Sequence, residues 1–258
     1  SMVAAGKADF GVSYQEDVTY ALTSEDPLPI KTIATIIQHN TSGFVSLKSA
    51  NINSVKDFEG KTYAGWGAPS EEAVIKAVMN EAGADFSKLN IVGSDGSGIA
   101  GLSDEVGKNK VNLGWEFYGW AIIKAMQDGY DLNYMPLADL DSRLDYYTPV
   151  IITNNKMIKK NSETIQKFME ATKKGYEYAI DHPSKAAEIL HDDALTDTDL
   201  KFLKESQKYL GSQYAKDADS WGVMKDSVWD NYTDFMYETG LISQKIDAKD
   251  QYTNEFVK

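Results

Sequence analysis

Aromatic, amide and carboxylate side chains gather in five short clusters along the chain. They are Ser13 to Asp17 (SYQED), Gln38 to Gly43 (QHNTSG), Trp66 to Glu71 (WGAPSE), Trp115 to Trp120 (WEFYGW) and Tyr146 to Thr148 (YYT). Flat rings stack on the faces of a planar heterocycle, and a carboxylate accepts a hydrogen bond from a ring amine. The residues expected to touch such a ligand are Tyr14, Gln15, Glu16, Asn40, Trp66, Ser70, Glu116, Tyr118 and Tyr147. Glu116 stands out, because a carboxylate flanked by rings needs water, a partner or a ligand. Each ring also has a plain alternative as core, and at least one of Trp115, Phe117 and Trp120 is expected there. Glu71 and Glu72 read as charges favoured by a helix start. Asp95 reads as a turn residue bonding its own backbone, and His39 as a surface histidine.

Catalysis finds little support in the same inventory. The chain has no cysteine, which removes thiolate nucleophiles and cysteine-based metal sites. Its three histidines, His39, His182 and His191, are scattered, so neither a nucleophile–base pair nor a three-ligand metal site is apparent. The run Gly93 to Gly98 (GSDGSG) lacks the lysine of a phosphate-binding P-loop and the G-x-G-x-x-G spacing. No cofactor and no metal are expected.

The elements that must position these clusters alternate in type through the first half. Strands are expected at Ala8 to Ser13, Ile30 to Ile37, Lys61 to Gly65, Asn90 to Val92 and Val111 to Trp115. Helices follow from Ser70, as N-cap, to Gly83, after the turn ending at Gly98, and from Tyr118 to Gln127. The alternation predicts a mainly parallel sheet, with the clusters at strand ends bordering a ligand crevice. The last hundred or so residues are helical: one helix capped by Ser162 and ending before Pro183, one starting near Thr196 and Asp199, and one over Ser220 to Tyr237.

The predicted fold class is α/β with two lobes, lobe 1 formed by 1–53 and 146–258 and lobe 2 by 54–145. Two crossings between lobes make a hinge, with a small ligand expected in the cleft. The 258 residues carry a net charge of −13, which argues against nucleic acid or anionic lipid as a partner. Arg143 is the sole arginine, so a bidentate anion clamp has one candidate at most. No apolar run is long enough to span a bilayer, and no secretory signal opens the chain.

Three stretches together resemble the NMT1/THI5-like group of ABC-transporter solute-binding proteins: Val3 to Asp17 (VAAGKADFGVSYQED), Tyr63 to Glu71 (YAGWGAPSE) and Asn112 to Trp120 (NLGWEFYGW). The closing Tyr252 to Phe256 (YTNEF) is also similar. The resemblance implies a type II periplasmic-binding fold, an extracytoplasmic location, membrane-anchored or periplasmic, and delivery of ligand to an ABC permease. It implies a thiamine-precursor aminopyrimidine as ligand, with riboflavin as the alternative. Fungal relatives make the thiamine pyrimidine and carry a cysteine-rich motif, so the missing cysteines weigh against an enzyme. In the family the Gly6-to-Asp9 motif lies about a strand–helix–strand unit further in, so the chain reads as N-terminally truncated. A homodimer through the incomplete lobe is the expected consequence.

Overall fold

The computed structural model describes residues 1–108 and 110–257. The chain forms two compact units, one of Ser1–Asn40 with Asp145–Lys258 and one of Thr41–Leu144. The chain therefore passes between units at Asn40–Thr41 and at Leu144–Asp145, not at 53–54 and 145–146 as expected. The first shift has a definite cause: residues 42 to 47 form a strand of the second unit's sheet.

The first unit begins with β1 (Phe10–Ser13), α1 (Gln15–Thr23) and β2 (Ile30–Thr35). The second unit follows with β3 (Ser42–Leu47), β4 (Thr62–Gly65), α2 (Pro69–Glu81), β5 (Asn90–Gly93), β6 (Leu113–Phe117), α3 (Ile123–Gln127), β7 (Leu132–Pro136) and α4 (Leu137–Leu140). The chain then returns through β8 (Val150–Asn154), α5 (Asn155–Lys160), α6 (Ser162–Asp181), α7 (Pro183–Asp193), α8 (Leu200–Gly211), α9 (Asp226–Glu238) and α10 (Ala248–Gln251).

In the first unit the sheet order is β1-β8-β2, and both outer strands run antiparallel to β8. Every residue of β8 (VIITN) is buried, as a central strand covered on both faces requires. One side packs Ile33, Ile37 and Ile151 against Met157, Ile165, Met169 and Trp221. The other packs Val150 and Ile152 against Val18, Tyr147 and Trp229. Asn161 rather than Ser162 precedes α6, and Pro183 opens α7, where its missing N–H costs nothing. Asp199 caps α8 by accepting from the Lys201 N–H at 2.8 Å.

In the second unit the order is β5-β4-β6-β3-β7. β5, β4 and β6 are parallel, while β3 runs antiparallel to β6 and β7. The sheets are thus more antiparallel than the strand–helix alternation predicts, because β3 and β8 are the strands that enter from the other unit. Phe44, Phe58 and Tyr63 are fully buried on this sheet. The helix expected after Gly98 is a single short turn, Gly98–Gly101.

Candidate functional site

Strand direction decides where the five clusters fall. In the second unit β4, β5, β6 and β7 all point their C-terminal ends to one edge of the sheet, the edge where β3 begins. That edge carries Trp66, Ser94 to Gly98 and Phe117–Tyr118, with Thr41 beside them. The carbonyl of Thr41 accepts from the Tyr118 N–H at 2.9 Å and from the Tyr134 hydroxyl at 2.8 Å. In the first unit β1 and β2 end, and β8 begins, at a common edge bearing Tyr14, Asn40 and Tyr147.

The second unit's edge is organised around a buried carboxylate. Glu71, only 3% exposed, accepts from the backbone N–H of Gly67 at 2.8 Å and of Trp66 at 3.2 Å, and from the Tyr63 hydroxyl. Glu71 does stand in the first turn of its helix, as expected, but its buried carboxylate folds back onto the turn that precedes the helix. Gly65 makes room for it, since a Cβ there would lie 2.2 Å from Glu71 Oε1. Gly67 has φ +81°, a left-handed turn suited to glycine. The cap role expected for Ser70 is corrected, because α2 starts at Pro69 with Ala68 as its N-cap. Ser70 lies half-buried in the first turn.

Fixed in this way, the Trp66 ring stands 59% exposed, its edge against Trp115 at 5.1 Å between centroids. Trp115 packs in turn on buried Phe44 at 5.7 Å, so it is the partly buried member of its cluster, and Phe117 and Trp120 are exposed. Glu116 takes the opposite face of β6, its Oε1 over Gly98. Partial burial pushes its carboxyl above the usual carboxylate range. Tyr118, half-buried, packs edge-on against Tyr134 at 5.3 Å. Asp95 accepts from the Ser97 N–H at 2.9 Å, the local turn role expected of it.

The first unit's edge is polar and largely satisfied from within. Gln15 is fully buried in the first turn of α1; its side chain accepts from the Tyr147 N–H at 2.8 Å and donates to the Val228 carbonyl at 3.3 Å. Tyr147 is 1% exposed, and its hydroxyl accepts from the Lys225 N–H at 3.0 Å. Both residues hold α1, β8 and the start of α9 together, and neither offers a free polar atom. Tyr14, at the N-cap position of α1, is 44% exposed.

Glu16 differs. Its Oε2 is buried without a hydrogen-bond partner, and desolvation, aided by nearby Asp17, raises its pKa from 4.5 to about 7. Near it, Tyr146 and Tyr232 stack at 4.0 Å, both buried. The Tyr146 hydroxyl receives hydrogen bonds from Tyr232 and from Asn40. Asn40 is itself buried, its backbone N–H donating to Asp145 Oδ1 at 2.9 Å. The other oxygen of Asp145 lies 2.7 Å from His39 Nδ1. His39 is therefore a paired residue where the two chain crossings meet. Tyr20, Asp145 and Tyr232 fall outside the five clusters read from the sequence; Tyr146 stands in one of them but not among the residues expected to touch a ligand.

The family model described as NMT1/THI5 like matches residues 1–186, well over half of the chain. The chain belongs to the NMT1/THI5-like family. Within reach of this family member is the formylaminopyrimidine-binding protein of Halalkalibacterium halodurans, 23% identical over 260 residues, spanning 98% of this chain and 76% of the relative. The riboflavin-binding protein RibY of Chloroflexus aurantiacus is 25% identical over 255 residues, 92% of this chain and 67% of that protein. Among solved structures, the alkanesulfonate-binding protein SsuA of Xanthomonas axonopodis pv. citri superposes with a TM-score of 0.70 at 11% identity, covering 98% and 82% of the two chains. The desulfurization enzyme DSZB superposes with a TM-score of 0.65 at 10% identity, covering 96% and 83%. This NMT1/THI5-like chain has the mixed α/β fold of the periplasmic binding proteins. Among the described residues no helix is long and apolar enough to cross a membrane, and no group of three or more histidine or carboxylate residues is placed to hold a metal.

Proposed function

We propose that this protein is the solute-binding component of an ABC importer, working outside the cytoplasm, that captures a thiamine-precursor aminopyrimidine and hands it to a permease without chemical change. The observation that carries this reading is that one sheet edge holds both an exposed, rigidly held ring and a partly buried carboxyl raised above its usual range. Trp66 is presented by a turn locked to Glu71, and Glu116 has no ion-pair partner among the described residues. A ligand lying across the end of β6 would meet the Trp66 ring on one face of the strand and Glu116 on the other. Taken by itself, the first unit keeps Tyr14, Glu16 and Asn40 near the edge where β1 and β2 end, with Gln15 and Tyr147 bracing that edge from behind.

The formylaminopyrimidine-binding relative supports the aminopyrimidine class. The riboflavin-binding relative supports a flavin as the second reading, since an isoalloxazine ring stacks equally well on Trp66. An enzyme is the least supported reading: DSZB shares the fold alone, and this chain has neither cysteine nor a histidine beside a nucleophile. A thermal-shift series with formylaminopyrimidine, hydroxymethylpyrimidine, thiamine and riboflavin tests the assignment. Stabilisation by the aminopyrimidines alone is expected; stabilisation by riboflavin alone transfers it to the flavin reading, and silence to all four removes the ligand class.

A further inference from the structure

Three stretches of the first unit meet at one imidazole. His39 precedes the crossing at Asn40–Thr41, Asp145 follows the crossing at Leu144–Asp145, and Asp217 lies in the loop between α8 and α9. His39 Nδ1 lies 2.7 Å from Asp145 Oδ2, and His39 Nε2 lies 3.3 Å from Asp217 Oδ2. A carboxylate thus faces each ring nitrogen. A neutral imidazole carries one N–H, so either tautomer leaves a lone pair against one carboxylate; the imidazolium alone donates to both. Lys216 opposes the protonated form, while Asp145 and Asp217 favour it. The residues just before His39 are fastened by bonds that do not titrate. The Thr35 N–H donates to the Gly222 carbonyl at 3.1 Å, the Gln38 amide to the Val223 carbonyl at 2.9 Å, and the Trp221 indole N–H to the Ile36 carbonyl at 3.2 Å. Asp217 holds φ +56°, a left-handed backbone uncommon outside glycine, and Lys225 Nζ donates to its carbonyl at 3.3 Å.

We propose that His39 is a proton-operated tie on the two stretches by which the chain leaves and re-enters the first unit. Protonated, it clasps Asp145 and Asp217 at once and so holds both stretches to the loop between α8 and α9. Neutral, it keeps the nearer Asp145 through Nδ1–H and turns a lone pair toward Asp217, which lets that loop go. Exposure orders the two arms in the same way: the Asp145 side chain is 29% exposed and that of Asp217 69%, so water and salt weaken the Asp217 arm first. A hinge works through a few residues at the ends of elements, which absorb the change in backbone angles. Residues 39–41 and 144–145 take that part here, and the tie sets how freely they turn. The sign follows from linkage. Because the two carboxylates favour the charged ring, the tie is complete below the unfolded value of about 6.5 and is lost as pH rises through the higher value of folded His39. The freer crossing is the high-pH form, whatever ligand the protein takes.

Two readouts on the whole 258-residue chain test this, with no ligand added. NMR titration of the His39 ring is expected to give a pKa above 6.5. Asp217→Asn, a change at an exposed side chain, is expected to lower it by about half a unit, the size an exposed ion pair gives. The chain has no cysteine, so Lys56→Cys and Lys160→Cys, both at exposed positions, put one dye of an energy-transfer pair in each unit. The single-molecule distance distribution is expected to broaden as pH rises through the measured His39 value. In His39→Gln, which has no proton to lose, it is expected to stay broad at every pH. A His39 pKa at or below 6.5, a value unmoved by Asp217→Asn, a distribution indifferent to pH, or one that responds equally in His39→Gln would overturn the proposal.

Discussion

Glu71 Oε2 accepts the backbone N–H of Gly67 at 2.8 Å, from a side chain in the first turn of the following helix. The bond turns a loop carrying an exposed tryptophan into a fixed platform. In Glu71→Gln, one acceptor oxygen becomes a donor, leaving at least one of the Trp66 and Gly67 N–H groups without its partner. A loss of about 1–3 kcal/mol is expected for a buried donor so abandoned. Chemical denaturation measures it, and hydrogen exchange at the two amides should quicken in the variant.

Gly65→Ala probes the same contact from the other side. The added methyl would sit within 2.2 Å of Glu71 Oε1, so either the carboxylate or the strand must shift. Destabilisation of roughly 1–3 kcal/mol, the usual cost of overpacking, is expected. The Trp66 fluorescence environment should change with it.

Stability should fall as pH rises, in two separable windows. Folded Glu16 keeps its proton to about pH 7 while the unfolded chain releases it near 4.5, so the folded state binds more protons in between. The fall between these values is on the order of 3 kcal/mol and is complete above pH 7. Glu16→Gln, which cannot ionise, should flatten this window in urea denaturation measured from pH 4 upward.

The second window belongs to His39. Its hydrogen bond to Asp145 raises its pKa, reinforced by the charges of Asp145 and Asp217 against the opposing Lys216 and partial burial. Protonated His39 therefore stabilises the fold fully below its unfolded pKa of about 6.5, and the benefit is lost as pH climbs through the higher folded value. His39→Gln should remove this second decline and leave the Glu16 window intact.

Gln15→Ala should destabilise the protein by about 1–3 kcal/mol with or without ligand, since it strips partners from the Tyr147 N–H and the Val228 carbonyl. Denaturation in both conditions separates this supporting role from a contact: a ligand-dependent effect would assign Gln15 to binding after all.

Much of this arrangement is legible in the sequence because loops after strands carry the polar and aromatic residues. The Trp66 and Glu116 clusters fall where β4 and β6 end, and the breaks at Gly83 and Pro183 match helix ends. What stays hidden is tertiary. Gln15 and Glu16 are neighbours of similar polarity, yet one is fully bonded to distant backbone and the other has an orphaned oxygen. Nothing local separates Glu71 from Glu72, because helix rotation alone turns one inward. Strand β3 reads as an extension of β2, so its membership of the second unit emerges only from its pairing with β6 and β7.

The most direct measurement is calorimetric titration of the wild type and of Glu116→Gln with formylaminopyrimidine and with its analogue bearing oxygen in place of the ring amine. Tight binding of the amine by the wild type is expected, with the analogue weaker by about tenfold or more and most of that preference gone in Glu116→Gln. Equal affinity for both compounds, or a preference that survives in Glu116→Gln, would contradict the assignment of this edge to an aminopyrimidine.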